Sequence, residues 1–77
     1  MENNALYLTS DLYLTAYLKV KGHKCTVEKN KTKSTFIFNS TPDLLSHVDE
    51  YLTEIGSCEP LAYTNAIKNL KNLLFNR

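Results

Sequence analysis

Few residues in this chain have side chains that could do covalent or metal chemistry. They are His23, Cys25, His47 and Cys58, set among eight carboxylates. His23 and Cys25 lie two apart at the start of an alternating stretch, so they share a face and can touch. A thiolate–imidazole pair needs that proximity to act as a nucleophile. The next residue on the same face is the apolar Val27, which points instead to a buried thiol. As metal ligands the two histidines and two cysteines are spaced like no standard zinc motif. His47, beside Val48, reads as a surface residue of a helix. The chain has no HExxH, no GxSxG and no Gly-rich phosphate loop. The expectation is therefore no enzyme, no metal site and no cofactor.

The second feature is basic. The stretch "KVKGHKCTVEKNKTKSTFIF" (19–38) holds six of the nine Lys and Arg residues. The net charge is only +1, but it is segmented: −2 over residues 1–18, +5 over 19–33, −5 over 41–59 and +3 over 60–77. Segmentation of that kind sets docking orientation more than overall attraction to a polyanion. Lys19, Lys21, Lys24, Lys29, Lys31 and Lys33, with His23, are the candidate nucleic-acid contacts. A hairpin loop with three lysines can hold phosphates, in a salt-sensitive way. The plainer alternative is a solvated hairpin whose lysines discourage edge-to-edge pairing. On the last helix Asn65, Lys68, Asn69 and Asn72 share a polar side suited to base edges and phosphates, though solvated helices carry such residues commonly. The acidic residues Asp43, Asp49, Glu50 and Glu54 could meet a basic protein surface or mimic a phosphate row; a solvated helix face explains them equally.

These residues must be positioned by a small set of elements. "ALYL" (5–8) alternates as a short strand. "TSD" starts a helix, with Thr9 or Ser10 as cap and Asp11 at the positive end of the dipole. That helix should run to about Lys21 and stop at Gly22. Its polar positions, Asp11, Thr15 and Lys19, make so narrow a stripe that the helix must be buried on most sides. "HKCTVEK" and "KSTFIFN" form a hairpin about "NKT", with Cys25 and Val27 inward. The consecutive Phe36, Ile37 and Phe38 mark the second strand as central, with both faces needing cover. Thr41 caps a second helix that opens with Pro42 and ends at Gly56, with Leu44, Leu45, Val48, Leu52 and Ile55 as its apolar stripe. Pro60 starts a third, with Leu61, Tyr63, Ala66, Ile67, Leu70, Leu73 and Leu74 on one side. The expected fold is a single α+β domain, residues 1–77, in the order β-α-β-β-α-α, with a three-stranded antiparallel sheet packed against helices.

Seventy-seven residues with 43% apolar content and four Pro plus Gly argue for one folded domain of marginal stability. Cys25 and Cys58 are too few for a disulfide framework and read as free, partly buried thiols. No apolar run reaches the roughly 18 residues of a membrane span, and the basic-free opening "MENNALYLTSDLYL" does not read as a secretory leader. The first helix has more apolar surface than a small core requires. A strip including Tyr13 or Tyr17 left exposed would mark an interface, and a two-fold homodimer is the expected way of covering it.

Taken together, "TSDLYLTAYLKVKGHK", the hairpin ending in "FIFNSTPDLLSHVDEYL", and the closing "AYTNAIKNLKNLLF" resemble one particular family. It consists of short uncharacterised proteins and domains of bacteria and their phages, known as a domain of unknown function. The likeness covers nearly the whole chain, and the matched positions are mainly caps and core residues. It implies no activity and no site residues. It implies a setting: a cytoplasmic accessory protein, encoded by a phage or mobile element, that binds nucleic acid or a host protein. The two expectations are thus nucleic-acid binding through the basic helix end and hairpin, or a protein-binding inhibitor or adaptor, such as one that blocks a host defence complex. One continuous basic face favours the first; scattered lysines beside an apolar patch favour the second.

Overall fold

A computed structural model describes residues 5–30, 33–53 and 56–75. The chain is an α+β fold of three strands and three helices: β1 (Leu6–Thr9), α1 (Leu12–Val20), β2 (Cys25–Lys29), β3 (Ser34–Asn39), α2 (Pro42–Leu52) and α3 (Pro60–Phe75). The sheet is antiparallel in the order β1-β3-β2, so the Phe-rich strand is central as its composition demands. Its register aligns Tyr7, Phe38 and Cys25 across one face and Leu8, Ile37 and Thr26 across the other. Phe36 and Phe38 point into the core with Leu14, Ala16, Tyr17, Leu18, Leu44, Val48 and Leu70.

The helix ends follow from local chemistry. Asp11, in an extended conformation, caps α1 by accepting from the N–H groups of Tyr13 and Leu14 at 3.0 and 3.2 Å. The cap is therefore Asp11 and not Thr9 or Ser10. Thr9 Oγ1 accepts from the Asp11 N–H instead, which leaves the charged oxygen for the free amides of the first turn. At the other end Gly22 takes φ +98. Its N–H donates to Lys19 O, and the His23 N–H donates back to Leu18 O, at 3.0 Å each. This is the Schellman pattern, and it needs a residue that tolerates left-handed φ. Thr41 caps α2 through Leu44 N–H, with Pro42 in its first turn. The Glu59 carboxylate accepts from Ala62 N–H at the start of α3.

Three sequence expectations change. Thr15 is not on a solvated stripe: it is fully buried, and its hydroxyl donates to Asp11 O at 2.9 Å. The hydroxyl shares that carbonyl with the Thr15 N–H, so a threonine bonding one turn back satisfies itself and tolerates burial. α2 ends at Leu52, short of Gly56, and Leu45 and Leu52 on its apolar stripe are exposed; Ile55 lies outside the described residues. The outer face of β3 is bare. Ile37 is only half-buried, and every core residue on the sheet belongs to the inner face.

Helix α1 carries five consecutive buried residues, Leu14 to Leu18, which requires cover on every side. Leu18→Ala should therefore cost about 2–5 kcal/mol, and Asp11→Ala about 0.5–2 kcal/mol through loss of the cap. Urea unfolding of both variants tests this ranking; an equal or larger loss for Asp11→Ala would contradict the central place given to α1.

Candidate functional site

The lysines do not form one surface. Lys21 Nζ donates to Ser57 O at 2.7 Å and lies 5.3 Å from the centre of the Tyr17 ring, a cation–π contact that ties the end of α1 to the segment before α3. Lys29 projects toward the helices, and its Nζ donates to Leu74 O at 2.9 Å. There it meets the negative end of α3. Both are thus structural cations. Lys19, Lys24 and Lys33 are exposed, and Lys31 lies outside the described residues. On α3, Asn65, Lys68, Asn69 and Asn72 are all exposed along the helix side away from the core.

The two tyrosines of α1 have different fates. Tyr13 is 48% exposed, while Tyr17 is 4% exposed. The Tyr17 hydroxyl donates to Glu50 Oε1 at 3.2 Å, and its ring meets Tyr51 at 5.5 Å between centroids. Burial, with the hydrogen bond and charge of Glu50, pushes the Tyr17 phenol above its ordinary pKa. The backbone carbonyl of Tyr13 accepts from the Tyr63 hydroxyl on α3 at 3.3 Å. A cleft of about 330 Å³ opens between these rings, floored by Tyr17, Tyr51 and Tyr63 and closed at one side by Gly56 and Cys58. A Cβ on Gly56 would overlap the Tyr17 hydroxyl.

Cys25 faces inward, half-buried, and burial raises its pKa above the usual thiol range. A neutral thiol is a poor nucleophile, and the His23 Nε2 is turned to His47. Both cysteines are free. His23 is committed elsewhere. Its Nε2 is 2.8 Å from Nδ1 of His47, with the rings edge to face. Burial first, then the neighbouring His47, hold His23 below its ordinary pKa, while Asp43 opposes the shift. Asp43, His47 and His23 are the group of ligating side chains gathered most closely among the described residues. The pairing of His23 with His47 is not legible in the sequence. Two signals for it existed: the reversal imposed by Gly22, and the four-residue spacing of Asp43 and His47, which puts both on one side of α2.

The sequence profile of a family described as "Domain of unknown function (DUF5659)" matches residues 4–76. The chain belongs to that family. Comparison with curated protein sequences and with solved structures gives no match. The family's description assigns it no activity. No helix among the described residues is long and apolar enough to cross a membrane.

The contact of Gly56 with the Tyr17 hydroxyl is testable. Tyr17→Phe should cost about 0.5–1.5 kcal/mol, and Gly56→Ala should destabilise by displacing that ring. The two changes share one atom, so the double variant should be less unstable than their sum, with a coupling of about 0.5–3 kcal/mol. Additive unfolding free energies would show that the ring and the glycine are not in contact.

Proposed function

We propose that the chain is a non-enzymatic binding module whose partner is a protein, met at the outer face of the sheet. The observation that carries this reading is that face itself. Leu6 and Leu8 are each 55% exposed, and Leu8 pairs with the half-buried Ile37 on the central strand. Adjacent aliphatic side chains on an open sheet are costly to leave in water, and such a patch normally marks an interface. A groove of about 460 Å³ beside it is lined by Leu6, Ile37, Thr26 and Lys24. Lys33 is exposed immediately before β3. Glu28 alternates with Thr26 on this same side of β2 and is exposed, so the face is aliphatic with a border of mixed charge. Its complement is a protein segment that presents aliphatic side chains.

The distribution of lysines supports a protein over a nucleic acid. Lys21 and Lys29 hold other segments of the chain in place, which leaves Lys19, Lys24 and Lys33 as the free cations among the described residues of the basic stretch. Among the described residues the outer sheet face also has no aromatic side chain, which a single-strand platform uses for stacking. Of the α1 strip expected to carry a two-fold dimer, Tyr17 is buried within the chain while Tyr13 stays exposed, so a dimer through α1 would rest on Tyr13. The family resemblance supplies the setting: an accessory protein of a phage or mobile element, acting in the cytoplasm of its bacterial host, where an inhibitor or adaptor role fits a small binder.

The test is affinity capture from lysate of cells that encode the chain, with and without nuclease. Leu8→Glu replaces an exposed residue and should keep the fold. The expected result is a nuclease-resistant protein complex that Leu8→Glu abolishes and Lys24→Ala with Lys33→Ala weakens. Capture that vanishes with nuclease and with the lysine changes, but survives Leu8→Glu, would transfer the function to nucleic acid. Light scattering across a dilution series should give a constant mass near the 8.8 kDa of one chain; a doubled mass that Leu8→Glu halves would assign the face to a second copy.

A further inference from the structure

We propose that His23, His47 and Asp43 form a binding site for a divalent transition-metal ion of the zinc class, with one coordination position left open. One ligating atom from each residue lies within 4.8 Å of the others. The closest pair is His23 Nε2 and His47 Nδ1, at 2.8 Å. Tetrahedral ligands about 2.0–2.1 Å from zinc lie roughly 3.3–3.4 Å from one another. The imidazoles therefore need to part by only about 0.5 Å to admit an ion. Asp43 is exposed and free to swing its carboxylate inward.

The scaffold holds these donors where the ion requires them. His23 is fixed by the Schellman turn, whose N–H bond to Leu18 O carries the ring back over the end of α1. Asp43 and His47 are one turn apart on α2, the spacing by which a helix offers two ligands to one ion. The two segments come from residues 24 apart in the chain. Without a metal, two neutral imidazoles so close must share one proton, one ring donating and the other accepting. An ion takes the place of that hydrogen bond: the donor ring carries its proton on its other nitrogen instead, and both neutral rings offer a lone pair. The donor set is two nitrogens and one oxygen with no sulfur. That suits zinc, cobalt, nickel or copper and disfavours calcium and magnesium, which take oxygen ligands. Three protein ligands with an open fourth position are the arrangement that admits water or an incoming group. The half-buried histidines and exposed carboxylate leave that position on the solvent side.

Binding would clamp the end of α1 to the start of α2 and so raise the stability of the native chain. The experiment is a titration of the purified protein with Zn2+ and Co2+, read by calorimetry, by visible absorption of Co2+ and by the thermal unfolding midpoint. The expected result is one ion per chain, a rise in the midpoint, and a visible Co2+ band without an intense thiolate charge-transfer band. His47→Ala should weaken binding at least about tenfold, since even outer groups of a metal site cost that much. Asp43→Asn, at an exposed position, should weaken it without perturbing the fold, and serves if His47→Ala fails to fold. Cys25→Ser and Cys58→Ser should leave it unchanged. No uptake by the wild-type chain, uptake indifferent to Asp43→Asn and His47→Ala, or a thiolate band would each overturn the proposal.

Discussion

The burial of α1 is the constraint on which the rest of this small domain depends. Leu14 through Leu18 are all buried, which a helix can manage only if elements surround it. The inner face of the sheet supplies one side through Phe36 and Phe38, and α2 and α3 supply the others through Leu44, Val48 and Leu70. Everything polar along α1 must then be settled internally. Thr15 does so by donating to Asp11 O. Tyr17 keeps its ring in the core and sends its hydroxyl to Glu50. A chain of this size has few apolar residues to spend on such an arrangement, and placing all three helices on one side of the sheet leaves Leu6, Leu8 and Ile37 uncovered.

The same constraint explains the fate of the charges. With α1 central, its C-terminal end meets the segment leading into α3, and Lys21 is drawn to Ser57 O and the Tyr17 ring. Lys29 is on the inward phase of β2 because Cys25 and Val27 are, and that phase delivers it to the last turn of α3. Among the described residues, a basic run in sequence thus becomes two surface ties between elements, Lys21 and Lys29, and a few solvated cations. Charge that is contiguous along a hairpin is divided between the two faces of a sheet, because alternate residues point opposite ways.

Much of the fold was legible in the sequence. Pro42 and Pro60 mark two helix starts, Gly22 marks a stop, and the Phe36–Phe38 run marks the central strand. What was not legible has specific causes. Thr9, Ser10 and Asp11 are adjacent and all able to cap, and only the backbone conformation selects Asp11. Thr15 repeats the polar spacing of Asp11 and Lys19, and sequence cannot distinguish a hydroxyl that faces water from one that faces a carbonyl one turn back. The candidate site was the least legible part. His23 and His47 carry no recognisable spacing, since their meeting depends on how α1 and α2 pack. Asp43 reads as an ordinary first-turn acid until His47 is placed below it.

The sheet also separates the molecule into two independent surfaces. His23 lies on the helix side with Cys25 and Val27, where it meets α2. Leu6, Leu8 and Ile37 lie on the opposite side, and the strands between contribute their inner side chains to a shared core. A group bound at the histidines cannot touch a partner seated on the leucines, since a layer of side chains and backbone intervenes. Any influence of one on the other has to pass through the packing of α1, whose C-terminal turn holds His23 and whose buried residues rest on Phe36 and Phe38. That packing leaves no buried side-chain polar atom unpaired among the described residues; a close-packed interior passes strain on but has discrete rather than continuous rearrangements, so coupling would require α1 to shift as a unit. The two surfaces are therefore expected to act separately: the sheet face as a site set by shape and apolar contact, the histidine cluster as one set by coordination chemistry.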